Sequence, residues 1–316
     1  MASRRSFIKK TALGTTALTA SSAFPLSLYS VPLNSLVLPK ISLAQWSLHR
    51  AFIADRLQAE NFASIAKNTF GIGAVEYVNQ FYVQKANDEG FWNQMKRNAD
   101  NEGVQSLLIM VDDEGLLGDT NTAARNKAVE NHYKWIHAAK LMDCHSIRIN
   151  AFTNSSVPSE IRSALVKGLE YLATYGAKEG IHILIENHGF HTSDADFMVG
   201  IIKEINNLYL GTLPDFGNWC LNAEWGSTQG NTCTQVYDPY DGVSKFLPFA
   251  KGVSAKSYNF NDTGYDTVND YPKLLKLVKE FGYDGYIGIE YEGSTLSEEA
   301  GIRATKALIE KVWQQV

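Results

Sequence analysis

The feature that most limits what this chain can become is an eightfold alternation. From Ile41 onward, short runs of branched apolar residues trade places with longer segments of helical periodicity. The short runs read as buried strands and the longer segments as amphipathic helices. Alternation sustained this far predicts parallel strands joined by right-handed crossovers, and eight units favour a closed (β/α)8 TIM barrel, of the α/β class, over a doubly wound sheet. Strands are expected at Ile41–Leu48, Ala74–Val78, Val104–Val111, Ser146–Asn150, from Ile181, at Leu208–Pro214, Lys251–Tyr258 and Tyr286–Glu290. Helices are expected near Gln58–Asn68 and Asp88–Asn101, from Asp119 to Met142, from Val157 to Lys178, from Ser193 to Asn206, and at Tyr271–Phe281 and Leu296–Trp313. The longest connection, Asp215–Asp241, follows the sixth strand; a loop of that length in a compact domain usually carries function, and here it suits a lid or a homo-oligomer contact.

The first residues obey different rules. Ser3-Arg-Arg-Ser-Phe-Ile-Lys-Lys10 precedes a weakly apolar, Ala/Thr-rich run from Thr11 to Ala23. Paired arginines, modest hydrophobicity and small residues near the end are the layout of a twin-arginine export signal. Residues 1–35 are therefore read as signal and linker and 36–316 as one barrel domain, exported and periplasmic. The run is too short and too rich in threonine for an integral membrane span in the mature protein. With a net charge of −5 and scattered basic residues, the chain offers no nucleic-acid surface, and a small polar molecule is the default partner. Of the three cysteines, Cys144 reads as a buried small hydrophobe, while Cys220 and Cys233 either close their polar loop as a disulfide or remain two free thiols.

Chemistry enters where apolar strands stop. Ile181-His-Ile-Leu-Ile ends in Glu186, Asn187 and His188, the sixth strand ends in Asp215, and Gly285-Tyr-Ile-Gly-Ile ends in Glu290. Three strands each delivering a carboxylate at the C-terminal end place them at the face where a parallel barrel keeps its active site. Gln45, Trp46, His49, Glu76, Asn79, Arg148, Asn150, Asn218, Lys256, Tyr258 and Glu292 occupy equivalent positions on the other strands. Carboxylates crowded in a partly desolvated mouth repel, so a divalent metal, a shared proton or a lysine must offset them. Oxygen-rich sites suit Mg or Mn. Asp112-Asp113-Glu114-Gly115 reads as a solvated turn, and His132 and His137 as surface or packing residues.

These residues, with VEYVNQFY, IENHG, LPDFGNWC, KGVSAKS and GYIGIEYEG, resemble the sugar isomerase/epimerase family with a xylose-isomerase-like barrel, in an exported branch. That family includes ketose 3-epimerases, hydroxypyruvate isomerases and inosose dehydratases. The resemblance runs from Ile41 to the C-terminus and implies that Glu186, Asp215 and Glu290 hold the metal, with Glu186 and Glu290 also moving protons on opposite faces of the substrate. Two departures stand out. Ser254 takes the place of the family's metal histidine in the V-H-x-K pattern of the seventh strand, and Asn218 takes that of a second histidine three residues beyond the aspartate. His188 or a water is then left to complete the shell, or Lys256 to neutralise the carboxylates directly.

The implied reaction removes a proton beside a sugar carbonyl, leaving an enediolate; return of the proton gives epimerisation or isomerisation, and loss of a β-substituent from an oxidised (keto) sugar would make the enzyme a lyase. His49, Arg148, Asn150, His188, Asn218 and Lys256, with Trp46, Trp219 and Tyr258, are the expected sugar-binding groups. Two other classes remain. A nuclease built on the same barrel would want more histidines and a basic face, which the sequence lacks. A catalytically silent sugar-binding barrel fits the missing histidines.

Overall fold

The computed structural model describes residues 38–229 and 233–316, so the expected export signal lies outside the described residues. In chain order the elements are β1 (Lys40–Ala44), α1 (His49–Ile53), α2 (Phe62–Phe70), β2 (Ala74–Val78), α3 (Glu89–Asn101), β3 (Gln105–Val111), α4 (Thr122–Leu141) and β4 (Ser146–Ile149). They continue with α5 (Pro158–Glu179), β5 (His182–Glu186), α6 (Ala195–Ile205), β6 (Leu210–Leu213), α7 (Pro239–Phe246), β7 (Val253–Ser257), α8 (Tyr271–Phe281), β8 (Tyr286–Tyr291) and α9 (Glu298–Trp313). All eight strands are parallel, hydrogen-bonded in the order β6-β5-β4-β3-β2-β1-β8-β7. The two ends meet through isolated contacts instead of a ladder: Lys251 N–H donates to Thr212 O (3.1 Å), Ser254 N–H to Pro214 O (2.9 Å) and Phe216 N–H to Ser254 O (3.0 Å). Pro214 has no N–H to give, which interrupts pairing at this point.

Side chains two apart share a strand face. Ile109 and Val111 of β3, Ile147 and Ile149 of β4, Ile183 and Ile185 of β5, and Ile287 and Ile289 of β8 belong to the large apolar cluster shared with the helices. Their alternates Leu108, Met110 and Leu184, with Ala44, Val78 and Leu213, form a separate small cluster. The same alternation gives Arg148, Glu186, Lys256 and Glu290 the inner face, near the strand C-termini. Charged residues gather in this inner column because the outer face must seal against helices, where the small hydroxyls of Thr212 and Ser257 are tolerated by bonding to Phe246 O and Thr305 Oγ1.

Helix ends follow the sequence. Side chains of Asp88, Asn121, Asp194, Asp270 and Ser297 cap α3, α4, α6, α8 and α9, accepting from backbone N–H groups that the first turn leaves free. Two expectations need correcting. The first strand stops at Ala44 and turns into a 3-10 segment, Gln45–Leu48, which carries His49 away from the strand axis. The long connection runs into a helix that the pattern did not give, α7, with Asp238 capping it and Pro239 at its start. Cys220 and Cys233 are joined as a disulfide, and Cys144 is free and buried.

Candidate active site

The three strand-end carboxylates converge. One oxygen from each of Glu186, Asp215 and Glu290 lies within 4.8 Å of the others, and all three residues are buried. Asp215 Oδ1 accepts the backbone N–H groups of Gly217 (2.8 Å) and Asn218 (2.9 Å), so the turn after β6 is folded around its own carboxylate. Ser254 Oγ lies 2.5 Å from Asp215 Oδ2 and 3.0 Å from Glu290 Oε2. A hydroxyl has one proton, so it can satisfy one of these oxygens; the other contact stays repulsive unless a second proton or a cation intervenes.

Two fixed cations partly meet that demand. Lys256 Nζ stands 3.3 Å from both Glu290 Oε1 and Glu292 Oε2, and Arg148 Nη1 stands 2.6 Å from Asp112 Oδ1. Arg148 Nε is 2.9 Å from Glu186 Oε2, yet its N–H is not aimed at that oxygen; this is a charge contact without an aligned hydrogen bond. Five carboxylates (Asp112, Glu186, Asp215, Glu290, Glu292) thus face two cations. Burial, opposed by Lys256 and reinforced by Glu290, pushes the Asp215 carboxyl up to about 7. Burial also holds Glu186 well above the carboxylate range, with Arg148 opposing it and Glu290 and Asp215 adding to it. For Lys256 burial works against the charge, but Glu290, Glu292 and Asp215 outweigh it and keep the ammonium charged.

The β3–β4 side is organised differently. Asp112 Oδ1 accepts from Arg148 Nη1 and from Asn150 Nδ2, both at 2.6 Å. Asn150 Oδ1 then faces His188 Nδ1 at 2.7 Å. With the amide nitrogen spent on Asp112, its oxygen must accept, so His188 carries its proton on Nδ1. Burial, then Arg148 and Lys256, push that imidazole far below its usual range, and it is neutral. Asp112 is therefore buried and bonded, which corrects its reading as part of a solvated turn; Asp113 next to it is exposed.

A cavity of about 290 Å³ opens above this layer, bounded by Trp46, Val78, Gln80, Asp112, Arg148, His188, Trp225, Glu290 and Glu292. Of the three clustered carboxylates, Glu290 reaches its wall; Glu186 and Asp215 lie behind. The remaining expected binding residues divide. Arg148 and His188 line the cavity, Asn150 orients His188, and Lys256 anchors Glu290. Asn218 sits beneath, its Nδ2 3.5 Å from Glu186 Oε1 and its Oδ1 without a partner. His49 is outside the wall, stacked on Trp46 at 4.6 Å with Nδ1 2.6 Å from Trp46 O. Trp219 packs in the core on Phe246 and Tyr237, and Tyr258 is buried against Gly217. Both correct the expectation that they face a ligand. Trp225 takes that place, its ring 5.1 Å from His188.

Among the described residues no histidine joins the carboxylate triad; His188 Nδ1 is engaged with Asn150 Oδ1 and stands 3.8 Å from Glu186 Oε2. The donors on offer are all oxygen: three carboxylates, the Ser254 hydroxyl and the unpartnered Asn218 carbonyl. Opposite ligands of an octahedral ion with 2.0–2.1 Å bonds lie about 4.2 Å apart. The triad is close to that span, so its chemistry and size fit a small, hard divalent cation.

The model of the xylose isomerase-like TIM barrel family matches residues 65–312. The chain belongs to that family. No curated protein matches it by sequence. Several solved structures share the fold. A 3-keto-D-glucoside 4-epimerase from E. coli, 14% identical, aligns over 80% of this chain and 94% of its own with a TM-score of 0.64. D-psicose 3-epimerase with D-tagatose, from Clostridium cellulolyticum H10, is 10% identical over 87% and 96% with a TM-score of 0.63. A xylose isomerase-like TIM barrel protein from Mycobacterium smegmatis in complex with magnesium is 15% identical over 88% and 96%, with a TM-score of 0.61. At these identities the family's common ground is the barrel, and the chemistry has to be argued from this chain's side chains.

Proposed function

We propose that the protein is a sugar isomerase or epimerase that removes and returns a proton beside a carbonyl. The observation that carries this reading is the meeting of Glu186, Asp215 and Glu290 at the floor of a cavity that Glu290 enters. Glu290 takes the proton from substrate carbon, its second oxygen held by Lys256 Nζ so that the carboxylate keeps its aim. Glu186, the other glutamate of the triad, is the group we assign to returning the proton from the opposite face. Arg148 and Lys256 put positive charge beside the oxygens on which negative charge develops. Neutral His188 presents Nε2 as an acceptor for a sugar hydroxyl, and Trp46 and Trp225 offer ring faces to its C–H surface. Glu186, Asp215 and Glu290, with Asn218 or Ser254 oxygen, would hold a divalent Mg or Mn ion, which supplies charge stabilisation for the enediolate oxygens when bound.

The magnesium complex and the two epimerases among the structural neighbours support the reading without fixing the sugar. Export by a twin-arginine signal in residues 1–35 belongs to the same proposal, and the Cys220–Cys233 disulfide suits an oxidising compartment. N-terminal sequencing of the protein recovered from periplasm checks it. The test of function is incubation in D₂O with magnesium and a panel of ketoses and keto-glycosides. Deuterium entering one carbon adjacent to the carbonyl is expected; absence of exchange across the panel, with sugars still bound, would instead leave a binding protein.

A further inference from the structure

The pocket above the carboxylates is the smallest of three cavities set in a row. Beyond Trp225 lies one of about 320 Å³ that reaches Asn150 and Phe152, and beyond Phe152 lies one of about 560 Å³ that reaches Phe190. Trp225 borders the first and second; Phe152, Leu116 and Glu224 border the second and third. The three therefore adjoin one another through shared side chains in a row that starts at the reactive layer, and we read them together as one stepped groove. We propose that this groove holds a second, uncharged sugar unit, so that the substrate is a glycoside rather than a free monosaccharide; the inference rests on the sugar reading of the first cavity.

The lining chooses the occupant. Phe152 and Phe190 supply ring faces, and Thr153, Asn154 and Ser156 surround them with hydroxyls and an amide. A pyranose has the matching division between an apolar C–H face and a rim of hydroxyls, whereas a purely apolar group would leave those donors and acceptors unpaired. Asp113 and Glu224 border the middle cavity and would repel a phosphorylated or carboxylated unit, while Glu114 beside them is paired with Lys134. Size agrees: the first cavity, about 290 Å³, falls just below the usual range of roughly 300–1,000 Å³ for small-molecule sites, and the roomier space lies outside it.

The groove is also rigidly built. Phe190 (φ 49°) and Trp225 (φ 63°) are 41% and 40% exposed and both sit in the left-handed region, which a bulky residue occupies only when its surroundings enforce it. The enforcing contact is between their two turns. A Cβ at Gly189 would strike Ala223 O and stand 2.7 Å from Gly226 N, so both turns need glycine to approach. Gly189 and Glu224 pair as an antiparallel bridge, and Cys220 N–H donates to Gly226 O at 3.0 Å. Exposed aromatics held in fixed positions lose little freedom on binding, which favours a ligand platform.

Saturation-transfer NMR titration in the presence of magnesium tests this, with methyl glucoside set against cellobiose, maltose and trehalose. At least one disaccharide is expected to bind about tenfold more tightly than methyl glucoside, a difference of about 1.4 kcal/mol. Phe190→Ala combined with Glu224→Ala should erase that gain and leave methyl glucoside binding unchanged. Disaccharides that bind no better than methyl glucoside, or a gain that survives the double substitution, overturn the inference while leaving the proposed function standing. Failure of every one of these glycosides to bind also overturns the inference, whereas the proposed function stands or falls on deuterium exchange into the ketose panel.

Discussion

Two buried carboxyl groups in this barrel make the same contact and lead different lives. Ser42 Oγ donates to Glu76 Oε1 at 2.6 Å near the β1–β2 seam, as Ser254 Oγ does to Asp215 Oδ2 at 2.5 Å between β6 and β7. Burial pushes both acids up to about 7. Glu76, though, has no cation in hydrogen-bonding contact and an Oε2 without a partner, and it lies under Gly288, where any side chain would collide with it. Its easiest state is neutral. Asp215 is wrapped by two backbone N–H groups, shares its serine with Glu290 and feels Lys256. A raised pKa alone therefore does not identify a reactive acid; a neighbour competing for the same proton does.

The comparison can be broken at several points. The largest effect is expected at Glu290, where Glu290→Gln should lower solvent deuterium exchange into substrate about 10²–10⁴-fold with the fold intact by circular dichroism, while Glu76→Gln leaves exchange within a few-fold. Equal losses from both would erase the distinction. Next, Lys256→Met strands Glu290 and Glu292 in a buried setting; breaking such a pair costs about 3–5 kcal/mol, read from denaturant midpoints.

A third effect concerns metal and pH together. Asp215 and Glu186 bind protons more tightly in the folded state than in the unfolded one, so without metal their stabilisation is complete below the ordinary carboxylate range. For Asp215 it is lost as pH rises through about 7, and for Glu186, also held well above the carboxylate range, as pH rises through its own raised value. A divalent ion competes with those protons, so Mg or Mn at about 100 times its Kd should add about 2.7 kcal/mol at pH 8 and far less at pH 5. Thermal melts at the two pH values measure it, and equal shifts would remove the shared proton from the account. The smallest effect belongs to Glu76→Gln. Glu76 stabilises the fold below its ordinary pKa and ceases to do so as pH climbs through about 7, so the variant should gain on the parent between pH 5 and 8. The expected gain is about 2.5 kcal/mol.

Much of the scaffold was legible because its periodicity is strong. Ala74–Val78 and Tyr271–Phe281 fall where the pattern puts them, one buried throughout and the other amphipathic with Asp270 as cap. The short α7 was not expected, although Asp238-Pro239 is a helix-start signature; eight residues set within a polar loop left too little periodicity to read. At the site, Glu186, Asp215 and Glu290 could be found because each interrupts an apolar run. Asp112 interrupts one as well, but the acidic turn after it masked the signal, and its partners Arg148 and Asn150 become visible only when β3 and β4 lie side by side. Trp225 and Trp219 could not be told apart from sequence, since both lie in one loop and tertiary packing alone decides which ring meets the core and which meets the cavity.

Asp215 and Ser254 stand on either side of the junction that, among the described residues, no continuous ladder closes. A cation gripped there would act as a rivet across the cylinder's gap. Hydrogen exchange around Thr212–Phe216 and Gly252–Ser254 should then slow on loading more than anywhere else in the wall, making occupancy of the reactive centre and mechanical closure of the cylinder a single event.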